Sequence, residues 1–457
     1  MTVTSAAPAV FTRRKRRILF VLLGAGFLVS VDFSILNVAL PETGASVGLA
    51  ESRLAWIAAA YALPSAGFAL LFGRLADLYG RRRLFMISMI VLAGASVLGA
   101  VAVNPEMLLS ARALQGLATA MALPASLSLL TTTFAEGPVR ARALGLNGAL
   151  MSGGFTIGAL VGGTLVGLLS WRAAFWINVP VAVLILAVTP FLIEASRAPV
   201  RKRLDLPGAV TVTGGLLAIV YAAVERSFAA AAIGVLLIGA FWLIERRATD
   251  PLVPVGILRR PTVAWGNLAG LVIFSMETGM IFLMTLYLQR ILGLSPLWTG
   301  LIFGVPGLAA VAAGVIAGRL LGRYGYRKVL LVAMLVQGLA TIPLAFVGEH
   351  RAAVVVVIIA LFLGFFGHVA AIVGYTVTGT SGLPDGEQGL ATGLTTMTQQ
   401  VAVSVGIPIL SAIAATQVVE LTGIHLALGV NVVVTLVTAV LVQAGLRPRR
   451  TGTGLPS

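Results

Sequence analysis

The sequence contains no cysteine and little charge. Cysteine is absent from all 457 residues, and Asp, Glu, Lys and Arg together make up 11%. The first absence excludes disulfide bonds, thiolate metal sites and cysteine nucleophiles. Soluble domains carry about 25% charged residues, so the second absence argues against a soluble fold. Hydrophobic residues reach 58% and the mean hydropathy is +1.01, which is typical of an integral membrane protein.

The sequence also lacks the signatures of ATP-driven pumps and metalloenzymes. A Walker A motif needs Lys followed by Ser or Thr, but the three lysines are followed by Arg16, Arg203 and Val329. The three histidines show no metal-ligand spacing. We therefore expect no enzyme activity, no cofactor and no bound metal.

Continuous apolar runs divide the chain into fourteen predicted spans. A hydrocarbon core of about 30 Å needs roughly 20 apolar residues in a helix. The first run is too long for a signal peptide and a second follows it closely, so we expect an uncleaved first helix. Numbered in order, the predicted spans cover residues 18–40, 53–72, 84–103, 107–133, 141–168, 172–193, 208–224, 228–245, 264–289, 296–318, 328–347, 352–378, 389–418 and 423–445.

Basic residues cluster on one side of these spans. Most of the 32 Lys and Arg residues lie in gaps on the side of the N-terminus. By the positive-inside rule, this places both termini in the cytoplasm. We expect a multi-pass protein of the bacterial cytoplasmic (inner) membrane. A net charge of +16 in a soluble protein would suggest nucleic acid. Here the charges lie between apolar runs, so we expect contact with the lipid bilayer and no nucleic-acid partner.

A short basic stretch occurs twice. Residues 73–83 read GRLADLYGRRR and residues 318–328 read GRLLGRYGYRK. Each copy follows the second span of a six-span group, which indicates a parallel duplication of six helices, a known secondary-transporter plan. We predict an all-α integral membrane fold of 14 transmembrane helices, in two pseudo-symmetric six-helix bundles plus a two-helix insert. Its segments are a basic cytoplasmic N-terminus (1–17), an N-terminal bundle (18–193), the insert with its flanking loops (194–263), a C-terminal bundle (264–445) and a cytoplasmic tail (446–457).

Ionisable residues within apolar spans are costly to bury and are candidates for function. Asp32 in span 1 and Arg112 in span 4 lie in the outer half of the membrane, within about 5 Å of each other in depth. They can therefore form an ion pair. This pair is either a proton-exchange site or a static lock, that is, a permanent ion pair that only holds the helix bundle together. Glu277, halfway along span 9, is either a protonated core group or a site for protons or cationic substrates.

Three more polar residues and one glycine pattern lie within the spans. His368 in span 12 is either a neutral core histidine or part of a cavity, and Gln399 and Gln400 in span 13 either line a cavity or bridge helices. Small residues four apart permit close helix contact. In span 5 they indicate plain packing or a tightly packed helix that rocks against the other half. The residues of this face are Gly154, Gly158 and Gly162, with Gly163 beside them.

Five stretches carry a resemblance to a known family. They are residues 73–83, VDFSILNVALP at 31–41, SARALQGLATA at 110–120, WRAAFWINVPV at 171–181 and LPDGEQGLATGL at 383–394. Together they resemble the major facilitator superfamily, specifically its fourteen-helix branch of drug:proton antiporters, with matches at Asp32, Asn37, Pro41, Arg112, Gln115 and Gly116. The antiporter signature of helix 5 has Gly-Pro where this chain has Gly158-Ala159.

The resemblance implies alternating access, in which two bundles rock about a central cavity while proton influx drives substrate efflux. Asp32, Arg112 and Glu277 are then the expected proton-coupling residues. The expected cavity residues are Asn37, Gln115, Glu277, His368, Gln399 and Gln400. The expected cytoplasmic gate consists of Gly73, Arg74, Asp77, Gly80, Arg81 and Arg82, with Asp77 latching onto the start of span 13 near Glu387–Gly389.

These features predict a proton-coupled secondary transporter that exports amphipathic organic compounds, cationic drugs among them. Its expected partners are a small-molecule substrate, protons and the bilayer, and we expect a monomer. Three alternatives stay open: a dedicated exporter of one endogenous natural product, a proton-coupled uptake symporter and a non-transporting membrane sensor or receptor. The symporter stays open because Ala159 replaces the proline of the antiporter signature.

Overall fold

The computed structural model describes residues 12–50, 53–134, 138–194, 205–225, 227–248, 251–253, 255–383 and 385–446. The described chain is helical and contains no β-strand. Its α-helices are α1 (Arg13–Ser46), α2 (Ala55–Gly67), α3 (Ala69–Tyr79), α4 (Arg81–Ala100), α5 (Pro105–Thr133), α6 (Pro138–Leu168), α7 (Trp171–Trp176), α8 (Asn178–Leu192), α9 (Leu206–Glu225), α10 (Phe228–Glu245), α11 (Pro261–Leu286), α12 (Pro296–Thr341), α13 (Ala353–Thr380), α14 (Asp385–Ala414) and α15 (Glu420–Gly445).

Polar caps explain where several helices begin. Thr12 accepts the backbone N–H of Lys15 through its hydroxyl oxygen, so α1 begins at Arg13. The basic residues 13–17, predicted as part of a separate N-terminal segment, are therefore helical. Asn104 caps α5 in the same way, followed by a proline at the first helical position.

The repeated basic stretch contains the same backbone turn in both copies. Gly80 separates α3 from α4 with φ of 103°, and Gly325 kinks α12 with φ of 75°. Only glycine adopts such angles without strain. The two glycines occupy the same position in GRLADLYGRRR and GRLLGRYGYRK, so the repetition in sequence is also a repetition in backbone conformation.

Eleven helical segments of the described chain are long and apolar enough to cross a membrane, fewer than the fourteen predicted spans. One difference arises in predicted span 2, where the backbone at Phe68 divides the helix into α2 and α3, of 13 and 11 residues. Neither piece alone reaches the length of a span. Two shorter apolar helices, Thr156–Leu168 and Leu206–Ile219, lie in predicted spans 5 and 7.

The helices pack into two groups with an insert between them. In the first group, α1 packs on α6, and α5 packs on α2 and α4; in the second, α11 packs on α14, and α12 on α13 and α15. The groups meet where α6 runs along α12 and α2 along α14. The insert consists of α9 and α10, and α9 contacts both α2 and α14.

The side of the molecule opposite the start of α1 is closed. A large buried hydrophobic cluster there draws on both groups. Gln289 lies in the π-helical turn Tyr287–Ile291 and donates its Nε2–H to the carbonyl oxygen of Val38 at 2.7 Å. Gly163 brings α6 against α12, because a Cβ at this position would lie 2.6 Å from the carbonyl oxygen of Pro296.

Candidate functional site

A buried polar network surrounds Asp32 inside the first group. Arg112 Nη1 lies 3.4 Å from Asp32 Oδ2, and both side chains are 1% exposed. Asp32 Oδ1 accepts a hydrogen bond from Gln115 Nε2 at 2.9 Å and another from Asn178 Nδ2. Ser96 Oγ accepts from the Gln115 amide at 3.1 Å. The carboxylate is therefore held by donors from α5 and α8.

Arg112 has partners besides Asp32. Its Nε donates to the carbonyl oxygen of Ile57 at 3.3 Å, and its Nη1 donates to Gln115 Oε1 at 2.8 Å. The guanidinium carbon lies 4.3 Å from the ring centre of Tyr61, which is a cation–π contact. Arg112 can therefore stay in place when its contact with Asp32 loosens.

A second buried acid, Glu277, lies in the second group. Gln337 donates its Nε2–H groups to Glu277 Oε2 and to the carbonyl oxygen of Ile273, both at 3.1 Å. His368 Nδ1 lies 3.8 Å from Glu277 Oε2, which is too far for a hydrogen bond. Within the described residues, Glu277 Oε1 and His368 Nδ1 have no hydrogen-bond partner.

A cavity of about 510 Å³ lies between the two groups. Its wall reaches Asn147, in the first third of α6, and Thr380, at the end of α13. The cavity therefore lies on the side where α1 begins, and the hydrophobic cluster closes the opposite side. Its polar lining includes Ser30, Tyr61, Ser65, Thr119, Asn147, Glu277, His368, Gln399 and Gln400.

Two residues expected in the cavity lie elsewhere. Asn37 and Gln115 are buried and are not among the described residues that line the cavity. Gln115 instead forms hydrogen bonds with the buried charged groups of Asp32 and Arg112. Asn37 lies one turn beyond Phe33, the cavity residue nearest to it in α1, and so falls on the closed side of that helix.

Gln400 and the glycine face of α6 join helices. Gln400 Nε2 donates to Ser65 Oγ at 3.1 Å and so links α14 with α2.

Three of the four glycines of the α6 face pack against α1 in their own group. A Cβ on Gly158, for example, would lie 2.8 Å from the carbonyl oxygen of Val31. Only Gly163 of this set faces the second group, where it meets α12. The glycines that pack on α1 are Gly154, Gly158 and Gly162.

The expected gate motif spans the end of α3 and the start of α4. Gly73 and Arg74 lie in α3, Gly80 forms the turn, and Arg81 begins α4. Arg82 Nη1 donates to the carbonyl oxygen of Ile193 at 2.9 Å, which ties α4 to the end of α8. The side chain of Asp77 and those of its expected contact near Glu387–Gly389 lie outside the described part of the structure.

Several residues of the two polar clusters were not predicted as site residues. Asn178, at the break between α7 and α8, contacts Asp32, and Gln337 contacts Glu277. Asn431 Nδ2 donates to the carbonyl oxygen of Met276 at 2.7 Å, beside Glu277. Each is an amide within an apolar run, a pattern that marks interhelical hydrogen bonds but does not say which helix the amide faces.

Comparison with known proteins links this arrangement to a family. Residues 22–407 match the family model of the Major Facilitator Superfamily. The chain is 40% identical to the puromycin resistance protein pur8 of Streptomyces alboniger, over 69% of this chain and 65% of pur8. It is 31% identical to the multidrug resistance protein Stp of Mycobacterium tuberculosis (strain CDC 1551 / Oshkosh), over 85% of this chain and 74% of Stp. The aligned region thus spans just under two thirds of pur8.

A solved structure supports the fold. A POT family transporter in complex with 5-aminolevulinic acid superposes with a TM-score of 0.72, over 94% of this chain and 97% of that chain. The sequence identity is 14%, so this likeness concerns the fold alone. It extends over both helix groups.

Proposed function

Because the chain belongs to the Major Facilitator Superfamily, we propose that it is a proton-coupled exporter of amphipathic organic compounds, cationic drugs among them. The observation that carries this proposal is the cavity between the two helix groups. Glu277 stands on one wall of the cavity, and the Asp32–Arg112 pair lies directly behind Tyr61 on the other. A substrate site and two ionisable clusters therefore lie where the halves meet.

The proposal includes fourteen membrane spans. The eleven apolar segments and the two shorter apolar helices in predicted spans 5 and 7 support thirteen. The consecutive helices α2 and α3 support the remaining span, since together they cover Ala55–Tyr79. We place both termini in the cytoplasm of a bacterial cell, in agreement with the basic residues on that side.

With this orientation the structure corresponds to an inward-facing state. The cavity lies on the cytoplasmic side, and the hydrophobic cluster with Gln289 and Gly163 closes the outer side. Export then requires the contact between α6 and α12 to open while the cytoplasmic side closes. Asp77 is the proposed latch of that second closure.

Asp32 is the proposed proton-exchange group. In the inward-facing state Arg112 and two amides hold it. A shift of α5 against α1 within the first group, accompanying the movement of the halves, would lengthen the 3.4 Å contact with Arg112 and allow a proton to compensate the carboxylate instead. Arg112 keeps Gln115, the Ile57 carbonyl and the Tyr61 ring, so the exchange does not leave it without partners.

A transport assay in proteoliposomes tests the proposal. A lipophilic dye should leave along an imposed inward proton gradient without ATP, and efflux should slow when the gradient is collapsed. The Asp32→Asn variant should keep its fold and lose this gradient-driven efflux. Full efflux in the absence of any ion gradient would refute proton coupling, and the absence of any net flux would favour a sensor or receptor.

A dedicated exporter of one natural product is the second candidate. The name of pur8 specifies a single antibiotic, whereas the name of Stp specifies several drugs. A resistance panel decides between them: protection against one compound supports the dedicated exporter, and protection against chemically diverse compounds supports the broader one. Accumulation of substrate along the inward proton gradient would identify an uptake symporter.

A further inference from the structure

We propose that Glu277 and His368 bind the ammonium group of a primary or secondary amine, and that quaternary ammonium compounds bind much more weakly. This inference rests on the proposed function, because it names the substrate class of the same cavity. It goes beyond a general preference for cations, since it assigns a role to N–H bonds. Two buried polar atoms carry it, on residues that line the cavity, and neither has a hydrogen-bond partner within the described part of the chain.

Glu277 is the carboxylate of the proposed site and lines the cavity. The side chain is 3% exposed, and Gln337 holds its Oε2 by a hydrogen bond of 3.1 Å. Oε1 has no hydrogen-bond partner among the described residues. Buried polar atoms are nearly always paired, so an unpaired carboxylate oxygen on the wall of a cavity indicates that a ligand completes it.

His368 is the second residue of the proposed site and carries another acceptor that is unpaired within the described chain. Its side chain lines the same cavity, and its Nδ1 lacks a partner among the described residues. With the ring proton on Nε2, Nδ1 is an acceptor. The distance of 3.8 Å between Nδ1 and Glu277 Oε2 is too long for a direct hydrogen bond. In the proposed site one donor nitrogen lies between the imidazole and the carboxylate and contacts both.

Neighbouring residues hold these two side chains in place. Gln337 bonds to the Ile273 carbonyl as well as to Glu277, so the amide cannot turn without losing both contacts. The rings of Phe274 and Phe365 lie 5.3 and 6.3 Å from the His368 ring, in edge-on arrangements. Gln337 is therefore a positioning residue that leaves Oε1 free for a ligand.

The charge and surface of the cavity match an amphipathic amine. Among the described residues that line the cavity, Glu277 is the only acidic one and none is Lys or Arg. A buried charge needs a compensating partner, which a cation supplies. The rings of Phe33 and Tyr61 on the facing wall suit an apolar or aromatic body. A quaternary ammonium supplies charge but no N–H, so it leaves both acceptors unpaired.

The test compares 1-naphthylmethylamine with its N,N,N-trimethyl analogue, which has the same ring and charge. Each compound competes with gradient-driven dye efflux from proteoliposomes that contain the full chain. We expect the primary amine to inhibit at a concentration at least about tenfold lower. The ratio of the two inhibitory concentrations, quaternary compound over primary amine, should fall towards one in Glu277→Gln and His368→Phe. The matched exposed controls Glu349→Gln and His350→Phe should keep it.

Thermal stabilisation of the detergent-solubilised protein by each compound provides a second measurement. It needs no transport, so it tests the amine site even if proton-coupled efflux fails. Equal inhibition and equal stabilisation by the two compounds would overturn the inference. A tenfold preference that persists in His368→Phe would overturn the role of the imidazole. A preference that disappears only in the two site variants supports the proposal.

Discussion

Substitution of Asp32 and Arg112 together separates a proton-exchange site from a static lock. Asp32→Asn removes the negative charge and retains the size of the side chain, leaving Arg112 charged and 1% exposed. Loss of one partner of a buried ion pair destabilises a protein by about 3–5 kcal/mol. Arg112 retains its contacts with Gln115, the Ile57 carbonyl and the Tyr61 ring. We therefore expect a destabilisation at the lower end of this range, about 3 kcal/mol.

The double variant Asp32→Asn/Arg112→Gln replaces both charges by neutral amides. Replacement of both partners of a buried pair is often close to neutral. We therefore expect its stability to return to within about 1 kcal/mol of the parent protein. Gradient-driven efflux, in contrast, should remain absent, because no carboxylate is left at this position to exchange a proton.

Thermal unfolding in detergent measures the stability of the parent, the two single variants and the double variant, and dye efflux from proteoliposomes measures their transport. Recovery of both stability and efflux in the double variant would show that the pair is a static lock. A double variant less stable than either single variant would refute the energetic reasoning. Recovery of stability alone is the expected result.

Three further predictions concern close contacts, and the absence of native cysteine allows the first two to be followed with introduced cysteines, one for labelling and a pair for spin labels. Gly163→Ala places a Cβ 2.6 Å from the Pro296 carbonyl oxygen and should open the side that the hydrophobic cluster closes, which increases cysteine labelling there. The control Gly153→Ala, whose Cβ would meet no atom outside its own helix backbone within 4 Å, should not. Gln289→Ala removes the 2.7 Å bond to α1 and should lengthen outer inter-group distances measured between spin labels. Asn178→Ala removes a donor to Asp32 and should alter the pH profile of efflux; an unchanged profile would remove Asn178 from the proton-exchange site.

The spacing of residues along helices explains which parts of the site could be predicted. The rise per residue is fixed, so the sequence alone placed Asp32 and Arg112 at similar depths, and the structure brings them together. The pattern of apolar residues does not determine how each helix is rotated about its own axis relative to its neighbours. For that reason Gln115 was expected in the cavity but solvates the ion pair, and Gln337 was not singled out beside Glu277.

Helix breaks were predictable only where the residue type is diagnostic. Glycine is the residue type that tolerates a positive φ, and Gly80 and Gly325 of the repeated stretch adopt one, whereas Gly73 and Gly318 lie within α3 and α12. The break at Phe68 lies in an apolar run, GFALLFG, that resembles any continuous helix. It follows Pro64, which lies within α2 and cannot donate a backbone hydrogen bond, but a proline alone does not say whether a helix bends or ends.

The two halves of the chain are chemically unequal around the cavity. The acid of the first half is paired with Arg112 and lies behind Tyr61. The acid of the second half lines the cavity, and one of its oxygens has no hydrogen-bond partner among the residues that the structure describes. An incoming cation would therefore be attracted to Glu277 and would not displace the partner of Asp32. Substrate and proton then need not compete for one carboxylate. Tyr61 lines the cavity and also stacks on Arg112, so movement of this ring and of the helices around it provides a physical connection between the two acids.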